Sequence, residues 1–250
     1  VNGTELKASL QGDEFLHYYL AEDGKCYKQN ADGLYELMDV PAARENARMK
    51  RAQINKNMGV KRQRMMKAGE KKGFFGQKKG LIMLVQFPDR SFQSAHDKNF
   101  YENFANKENY TDGSFKGSVR DYYHAQSGGQ FELTFDVIGP LTAPKESTYY
   151  GENYPGGSDK HVGELVAWAL EQCKGKVDFT QYDWDKDGYV DQVFLLYAGR
   201  GENYEGAAST NIWPHMFYLQ HSDYGKVFDT GQGVYVNTYA CSCELNPDKG

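Results

Sequence analysis

The acidic loop between residues 183 and 191 carries the strongest chemical signal in this sequence. Its carboxylates stand at positions 1, 3, 5 and 9 of the loop and belong to Asp183, Asp185, Asp187 and Asp191. Alternate side chains at this spacing can converge on one hard cation. Gly188 at position 6 permits a sharp turn, after which the backbone carbonyl of Tyr189 could be a further ligand. Because four close carboxylates repel one another without a cation, the loop predicts a structural Ca²⁺ site.

The surroundings of this loop differ from those of an EF-hand. Position 12, where an EF-hand has a bidentate Glu, is Phe194. Residues 193–197 are apolar, β-branched or aromatic, which indicates a buried strand rather than a helix. We therefore predict a calcium loop that leads into a core strand and takes its remaining ligands from elsewhere in the chain. The alternative is a solvated acidic turn.

A zinc hydrolase needs two His residues four apart on one helix face, with a Glu between them. No two of the six His residues of this chain stand four apart. His161 and Glu164 resemble part of the inverted motif, but Leu165 stands where the second His is needed. We interpret His161 as a residue at a helix start. The sequence also lacks a Gly-x-Ser-x-Gly turn, a phosphate loop and a dinucleotide glycine pattern, so no catalytic residue is predicted.

The composition favours strands and loops with an extracytoplasmic surface. Apolar residues make up 40% of the chain and aromatic residues 14%, with 19 Tyr and 27 Gly. No run of 18 apolar residues is present, so no membrane span is predicted. The chain opens at Val1 without an apolar signal segment, and we expect any such segment to have been removed. The four cysteines are too few for a disulfide scaffold, and a bridge from Cys173 to Cys241 or Cys243 and buried free thiols both remain open.

Charge divides the chain into parts. Residues 41–79 hold 13 of the 29 basic residues but only 2 of the 34 acidic ones. We predict an antiparallel β region over residues 1–40, a basic helix and cleavable linker over residues 41–79, and a larger domain over residues 80–250. The acidic remainder argues against nucleic acid as a partner.

Hydrophobic patterning places the elements of each part. Four short strands are predicted over residues 4–10, 14–20, 26–28 and 34–37, and a helix over residues 41–67. In the larger domain, further strands are predicted over residues 81–87, 130–137 and 234–240, of which the alternating segment 130–137 is expected to be half-exposed and antiparallel. A capping box from Ser118 to Asp121 predicts a short helix, and residues 162–173 predict an amphipathic one.

Four motifs occur in an order that resembles a known family. They are Gly-Leu-Ile-Met-Leu-Val-Gln-Phe-Pro-Asp at residues 80–89, Ser-Val-Arg-Asp-Tyr-Tyr at residues 118–123 with Ser-Gly-Gly-Gln-Phe at residues 127–131, the acidic loop at residues 182–191, and Ile-Trp-Pro-His at residues 212–215. Together they resemble the immune inhibitor A-like secreted zinc metallopeptidases of bacteria, and the hairpins of residues 12–24 resemble the pro-region of that family. The resemblance covers nearly the whole chain.

The resemblance implies an α+β fold in which a small antiparallel β pro-region and a basic helix precede a mixed-sheet, zincin-like metallopeptidase subdomain. In the family, a strand ending like Glu244 and Leu245 is followed shortly by the H-E-x-x-H zinc helix. We expect this chain to lack that helix and to be inactive alone, with Zn²⁺ only in the parent protein. No zinc ligand of the family is assigned to a residue of this chain, whereas the resemblance assigns the calcium loop to Asp183, Asp185, Asp187 and Asp191.

The resemblance also implies a secreted or periplasmic zymogen whose parent acts on protein or peptide substrates. As hypotheses, the basic segment docks the pro-region on the acidic domain until a cut within residues 61–79 releases it, and the strand at residues 130–137 holds substrate by strand addition. The alternative is a non-catalytic, calcium-stabilised secreted binding or adhesion module.

Overall fold

The computed structural model describes residues 7–13, 15–30, 33–66, 75–155, 157–204 and 207–245. The first part forms one antiparallel sheet, which we call the N-terminal sheet, with the strand order β1-β2-β3-β4. Its strands are β1 (Ala8–Asp13), β2 (Leu16–Ala21), β3 (Cys26–Gln29) and β4 (Tyr35–Leu37). The four predicted strands are confirmed, although the first two begin four and two residues later than expected. Residues 4–6 and 14 of those predictions lie outside the described residues.

The predicted basic helix is confirmed as α1 (Val40–Met66). The Asp39 carboxylate accepts a hydrogen bond from the backbone N–H of Ala42 at its start. Arg44 of α1 donates to the Tyr18 hydroxyl at 3.1 Å, and the Arg51 guanidinium lies 4.8 Å from the Phe15 ring centroid. These contacts place α1 against the N-terminal sheet. No described helix has both the length and the apolar character of a membrane-spanning segment.

The second part is built on a mixed sheet of five strands, which we call the main sheet. The elements in chain order are β5 (Gly76–Gln86), α2 (Lys98–Asn106), β6 (Thr111–Asp112), β7 (Phe115–Lys116), α3 (Val119–Gln126), β8 (Phe131–Thr142), α4 (Ser147–Tyr150), α5 (Val162–Cys173), β9 (Val193–Arg200), β10 (His215–Tyr218), β11 (Phe228–Asp229), β12 (Tyr235–Val236) and β13 (Thr238–Leu245). The main sheet has the order β10-β13-β9-β5-β8, in which only β10 runs antiparallel to its neighbour. The fold is therefore α+β with a mixed and an antiparallel sheet.

Helices cover both faces of the main sheet. Leu81 and Met83 of β5 pack on the side of α5, together with the buried Leu170. Leu84 points to the opposite face of the sheet, because successive side chains of a strand alternate, and it packs with Tyr101 of α2. Because β5 is apolar on both faces, the continuous apolar run at residues 81–87 correctly predicted a buried strand.

Two strand predictions need correction. The alternation at residues 130–137 is confirmed, with alternate residues of β8 buried, but β8 runs parallel to β5, so the antiparallel direction was wrong. Alternation reports that one face is buried and says nothing about the direction of the partner. The expected last strand at residues 234–240 is interrupted at Asn237, whose carbonyl accepts from Leu219 N–H and whose side chain accepts from Gln220 N–H. The four cysteines, all of them described, are free thiols.

Candidate functional site

The acidic loop is held at both of its ends by the main sheet. It follows a 3₁₀ turn at Phe179–Tyr182 and leads into β9, as expected. The buried Tyr182 hydroxyl donates to the Asp136 carboxylate of β8 at 2.7 Å, and Tyr182 O accepts from the Asp191 N–H. The Trp184 indole N–H donates to Lys79 O on β5 at 2.6 Å. The loop therefore connects three strands of the main sheet.

Three of the predicted ligands converge. One carboxylate oxygen each from Asp183, Asp185 and Asp187 lie within 4.8 Å of one another. The two Asp183 oxygens accept from the backbone N–H groups of Asp187 and Gly188 at 3.0 and 2.8 Å, and an Asp187 oxygen accepts from Tyr189 N–H at 2.8 Å. Gly188 has φ +86°, a conformation that favours glycine. The backbone thus folds around the carboxylates, as the spacing indicated.

Asp191 and Tyr189 lie beside this group. The Asp191 carboxylate accepts from Trp184 N–H at 2.6 Å. Burial, with a contribution from the neighbouring carboxylates, raises the pKa of Asp191 to about 6. Tyr189 pairs with Tyr235 of β12 in an isolated parallel bridge. An all-oxygen set with excess negative charge fits a hard cation, and Asp191 and the Tyr189 carbonyl remain predicted ligands.

A second group with metal-ligand spacing lies at the start of α5. One ligand atom each from His161, Glu164 and Asp223 lie within 4.8 Å of one another. The Tyr149 hydroxyl donates to Glu164 at 2.9 Å, and the Tyr149 ring stacks on His161. Asp223 accepts from the N–H groups of Gly163 and Glu164. His161 is thus at a helix start, as predicted, whereas no sequence pattern indicated that Asp223 lies beside it.

The described histidines do not form a zinc site of the expected type. Neither of the two metal-ligand groups found among the described residues contains two histidines. His215 donates from Nδ1 to Trp213 O at 2.6 Å, and its Nε2 lies 3.0 Å from the Tyr239 hydroxyl. Burial lowers the pKa of His215 to about 4, so this ring is a neutral, hydrogen-bonded core residue. The described residues therefore contain no two-histidine zinc site of the H-E-x-x-H type.

The N-terminal sheet contacts the main-sheet part through aromatic side chains. The buried His17 ring of β2 lies 4.5 Å from the Trp213 ring, and His17 Nδ1 donates to Gly157 O. Phe15 packs edge-on against Phe217 of β10, with 5.9 Å between ring centroids. A cavity of about 290 Å³ lies beneath His17. These contacts bring the N-terminal sheet to the edge strand β10.

Comparison with known proteins places this arrangement in a family. The model of the immune inhibitor A peptidase M6 catalytic domain matches residues 66–242. The pre-pro-metalloprotease PrtV of Vibrio cholerae is 27% identical over 181 residues, covering 58% of this chain and 20% of PrtV. Immune inhibitor A of Bacillus thuringiensis is 29% identical over 174 residues, covering 56% of this chain and 25% of that relative. The chain spans a quarter or less of these relatives, and it belongs to the immune inhibitor A peptidase M6 family.

Proposed function

We propose that this chain is the N-terminal portion of a secreted zinc metalloendopeptidase zymogen whose parent protein hydrolyses peptide bonds. The observation that carries the proposal is the family match over residues 66–242, which extends from before β5 into β13 and so takes in the main sheet. One relative is named a pre-pro-metalloprotease, which supports secretion and a pro-region. Zn²⁺ would be bound by residues of the parent outside the described ones, where it would activate a water molecule.

The contribution of this chain would be to bind and position substrate. Strand addition requires a sheet edge, and the main sheet has two, β8 and β10. At the β8 edge, the Asn106 side chain donates to Phe135 O at 2.9 Å and accepts from Phe135 N–H at 2.7 Å. Because Asn106 already occupies the middle of β8, we withdraw the hypothesis that residues 130–137 hold substrate and assign that role to β10.

The N-terminal sheet would then act as the pro-region by covering β10. Phe15 lies on Phe217 of β10, and His17 lies on Trp213, two residues before the strand. The described contacts of α1 are with the N-terminal sheet, and the aromatic contacts of Phe15 and His17 support docking of that sheet on the main-sheet part. Docking of the basic segment on the acidic domain stays a proposal. Lys78 and Lys79 lie within β5, where strand pairing protects the backbone. The activating cut would therefore lie before β5, within residues 61–75 of the predicted linker.

The calcium loop would stabilise the scaffold rather than take part in catalysis. The loop contacts β5 through Trp184 and β8 through Tyr182, and it continues directly into β9. A bound Ca²⁺ would neutralise Asp183, Asp185 and Asp187 and hold these strands in register. Secreted surroundings contain enough calcium to fill sites of modest affinity.

The test of this proposal is the parent gene and its product. We expect an H-E-x-x-H segment shortly downstream of the codon for Leu245, and a full-length protein that hydrolyses casein after its N-terminal sheet is cut off. Changing the Glu of that segment to Gln should abolish hydrolysis without altering secretion. A parent without H-E-x-x-H, or a parent that is inactive with zinc present, would reject the proposal and favour the non-catalytic calcium-stabilised binding module.

A further inference from the structure

Three buried oxygen atoms beneath the N-terminal sheet lack a hydrogen-bond partner among the described residues. They are Asn153 Oδ1, Asp159 Oδ1 and Glu202 Oε2. Glu202 is 2% exposed, and the side chain of Asp159 is 4% exposed. Carboxyl groups are almost never buried this deeply as anions unless they are paired or bind a metal. The three oxygens therefore need a common explanation.

These side chains are neighbours although they come from distant parts of the chain. Asn153 and Asp159 face each other in an isolated antiparallel bridge. The Asn153 amide donates to the other Glu202 oxygen at 3.1 Å. Asp159 accepts a hydrogen bond from Trp213 N–H at 3.1 Å, and Glu202 N–H donates to Ile212 O. Both acids are therefore bonded to the same short segment, Ile212 and Trp213.

No described cation balances the two carboxylates. The one described ion-pair contact of these acids joins Asp159 to His215 Nδ1 at 3.9 Å, and this ring is neutral because burial lowers its pKa to about 4. Neither acid has a Lys or Arg partner among residues whose contacts the structure describes. Burial raises the pKa of Glu202 to about 8, and burial together with the charge of Glu202 raises that of Asp159. Both carboxyl groups therefore hold their protons more tightly than exposed acids do unless a cation neutralises them.

We propose that Asn153, Asp159 and Glu202 form a second, buried site for a hard divalent cation of the calcium class. The donors are all oxygens, two of them carboxylates, which Ca²⁺ prefers and which soft metals do not. A cavity of about 200 Å³ borders Asn153, and another of about 290 Å³ borders Asp159, so water ligands have room beside these two side chains. Two of the three ligands flank the 153–159 loop, so the ion fixes the loop whose Gly157 carbonyl receives His17.

The experiment counts calcium ions by isothermal titration of the EDTA-treated 250-residue chain with Ca²⁺. We expect two equivalents for the wild type and one for Glu202→Gln, which keeps the acceptor for Asn153 but loses the charge. Asp159→Asn is a second variant of the same site and should also bind one. Glu171→Gln changes an exposed Glu on α5 and should still bind two.

Asp185→Asn separates this site from the acidic loop. This substitution removes a predicted ligand of the acidic loop. The variant should still bind the Ca²⁺ ion that Glu202→Gln fails to bind. If the wild type binds one ion that Glu202→Gln loses and Asp185→Asn keeps, the buried site stands and the calcium part of the proposed function fails. The inference is overturned if Glu202→Gln and Asp159→Asn bind as many ions as the wild type, or if the wild type binds none.

The calcium dependence of the melting temperature distinguishes an ion-binding role of Glu202 from a purely structural one. In EDTA, Glu202→Gln should melt close to the wild-type temperature, because burial raises the pKa of Glu202 to about 8 and leaves its carboxyl group mostly protonated at pH 7. In excess Ca²⁺ the wild type should melt above the variant, since only the wild type binds the second ion. A variant that melts below the wild type by the same margin with and without Ca²⁺ would contradict the proposal.

Discussion

Gly157→Ala should release the N-terminal sheet from the main-sheet part. A Cβ at Gly157 would lie 2.7 Å from the His17 Cβ, closer than real Cβ contacts allow. The His17 ring also packs against the Trp213 ring, with 4.5 Å between the ring centroids, so it has little room to move away. The new methyl group must therefore push β2 from its docking position.

The size of the effect follows from two terms. Overpacking a well-packed contact costs about 1–3 kcal/mol, which corresponds to about 5- to 150-fold weaker binding of the N-terminal sheet. Gly157 also has φ +91°, where a side chain is strained by about 1–2 kcal/mol. Gly231→Ala is the matched control for strain, because Gly231 has φ +75° and its Cβ would meet nothing within 4 Å.

The assay measures retention of the N-terminal fragment after one cut. A specific protease site replacing residues 69–73 is cleaved, and the dissociation of the fragment is followed by size-exclusion chromatography after dilution. Gly157→Ala should release the fragment at concentrations at which wild type and Gly231→Ala retain it, and His17→Ala should weaken retention as well. Equal retention by Gly157→Ala and Gly231→Ala would refute the docking account.

Three further predictions concern the scaffold. Asn106→Ala should cost about 1–3 kcal/mol of unfolding free energy in urea, because both backbone groups of Phe135 lose their partner, while Asn99→Ala on the same helix should change little. Burial would raise the pKa of Asp121, but backbone hydrogen bonds, led by that from Ser118, outweigh it and lower that pKa. Its stabilising effect is therefore present above an unfolded pKa of about 3.9 and lost as the pH falls through the lowered value, so Asp121→Asn should destabilise at pH 7 and not in strong acid. Leu170→Ala should cost about 2–5 kcal/mol through a cavity under α5, against less than about 0.5 kcal/mol for the exposed Glu171→Ala.

Features defined by neighbouring residues were predictable from the sequence. The capping box of α3 forms as expected, with Asp121 N–H donating to Ser118 Oγ and Asp121 accepting from Ser118 N–H. The bounds of α5 match the amphipathic period over residues 162–173. The three aspartates of the acidic loop converge because their spacing and a left-handed Gly188 determine the turn locally.

Features made by distant residues were not predictable. The Asn106 side chain hydrogen-bonds to the backbone of Phe135 in β8, 29 residues away in the sequence. No local pattern indicates that Asn106 and Phe135 are partners. The position of Asp159 and Glu202 beside the same two residues, Ile212 and Trp213, depends on how the 153–159 loop lies in the fold. Strand direction is set by the crossover connections, which hydrophobic alternation does not encode. The fold class was therefore predictable, whereas the contacts that protect β8 and build the buried acidic pair needed the structure.

The acidic loop is tested most directly by the calcium dependence of unfolding in wild type and Asp185→Asn. Asp185 is the better target than Asp183, because the Asp183 carboxylate also holds the loop backbone. At a calcium concentration one hundred times the dissociation constant, the loop should add about 2.7 kcal/mol to the free energy of unfolding. Asp185→Asn should lose that gain, and Asp23→Asn, an exposed turn residue, should keep it. Chelation that leaves the wild-type melting temperature unchanged, or an equal calcium response in wild type and Asp185→Asn, would contradict a calcium-stabilised scaffold.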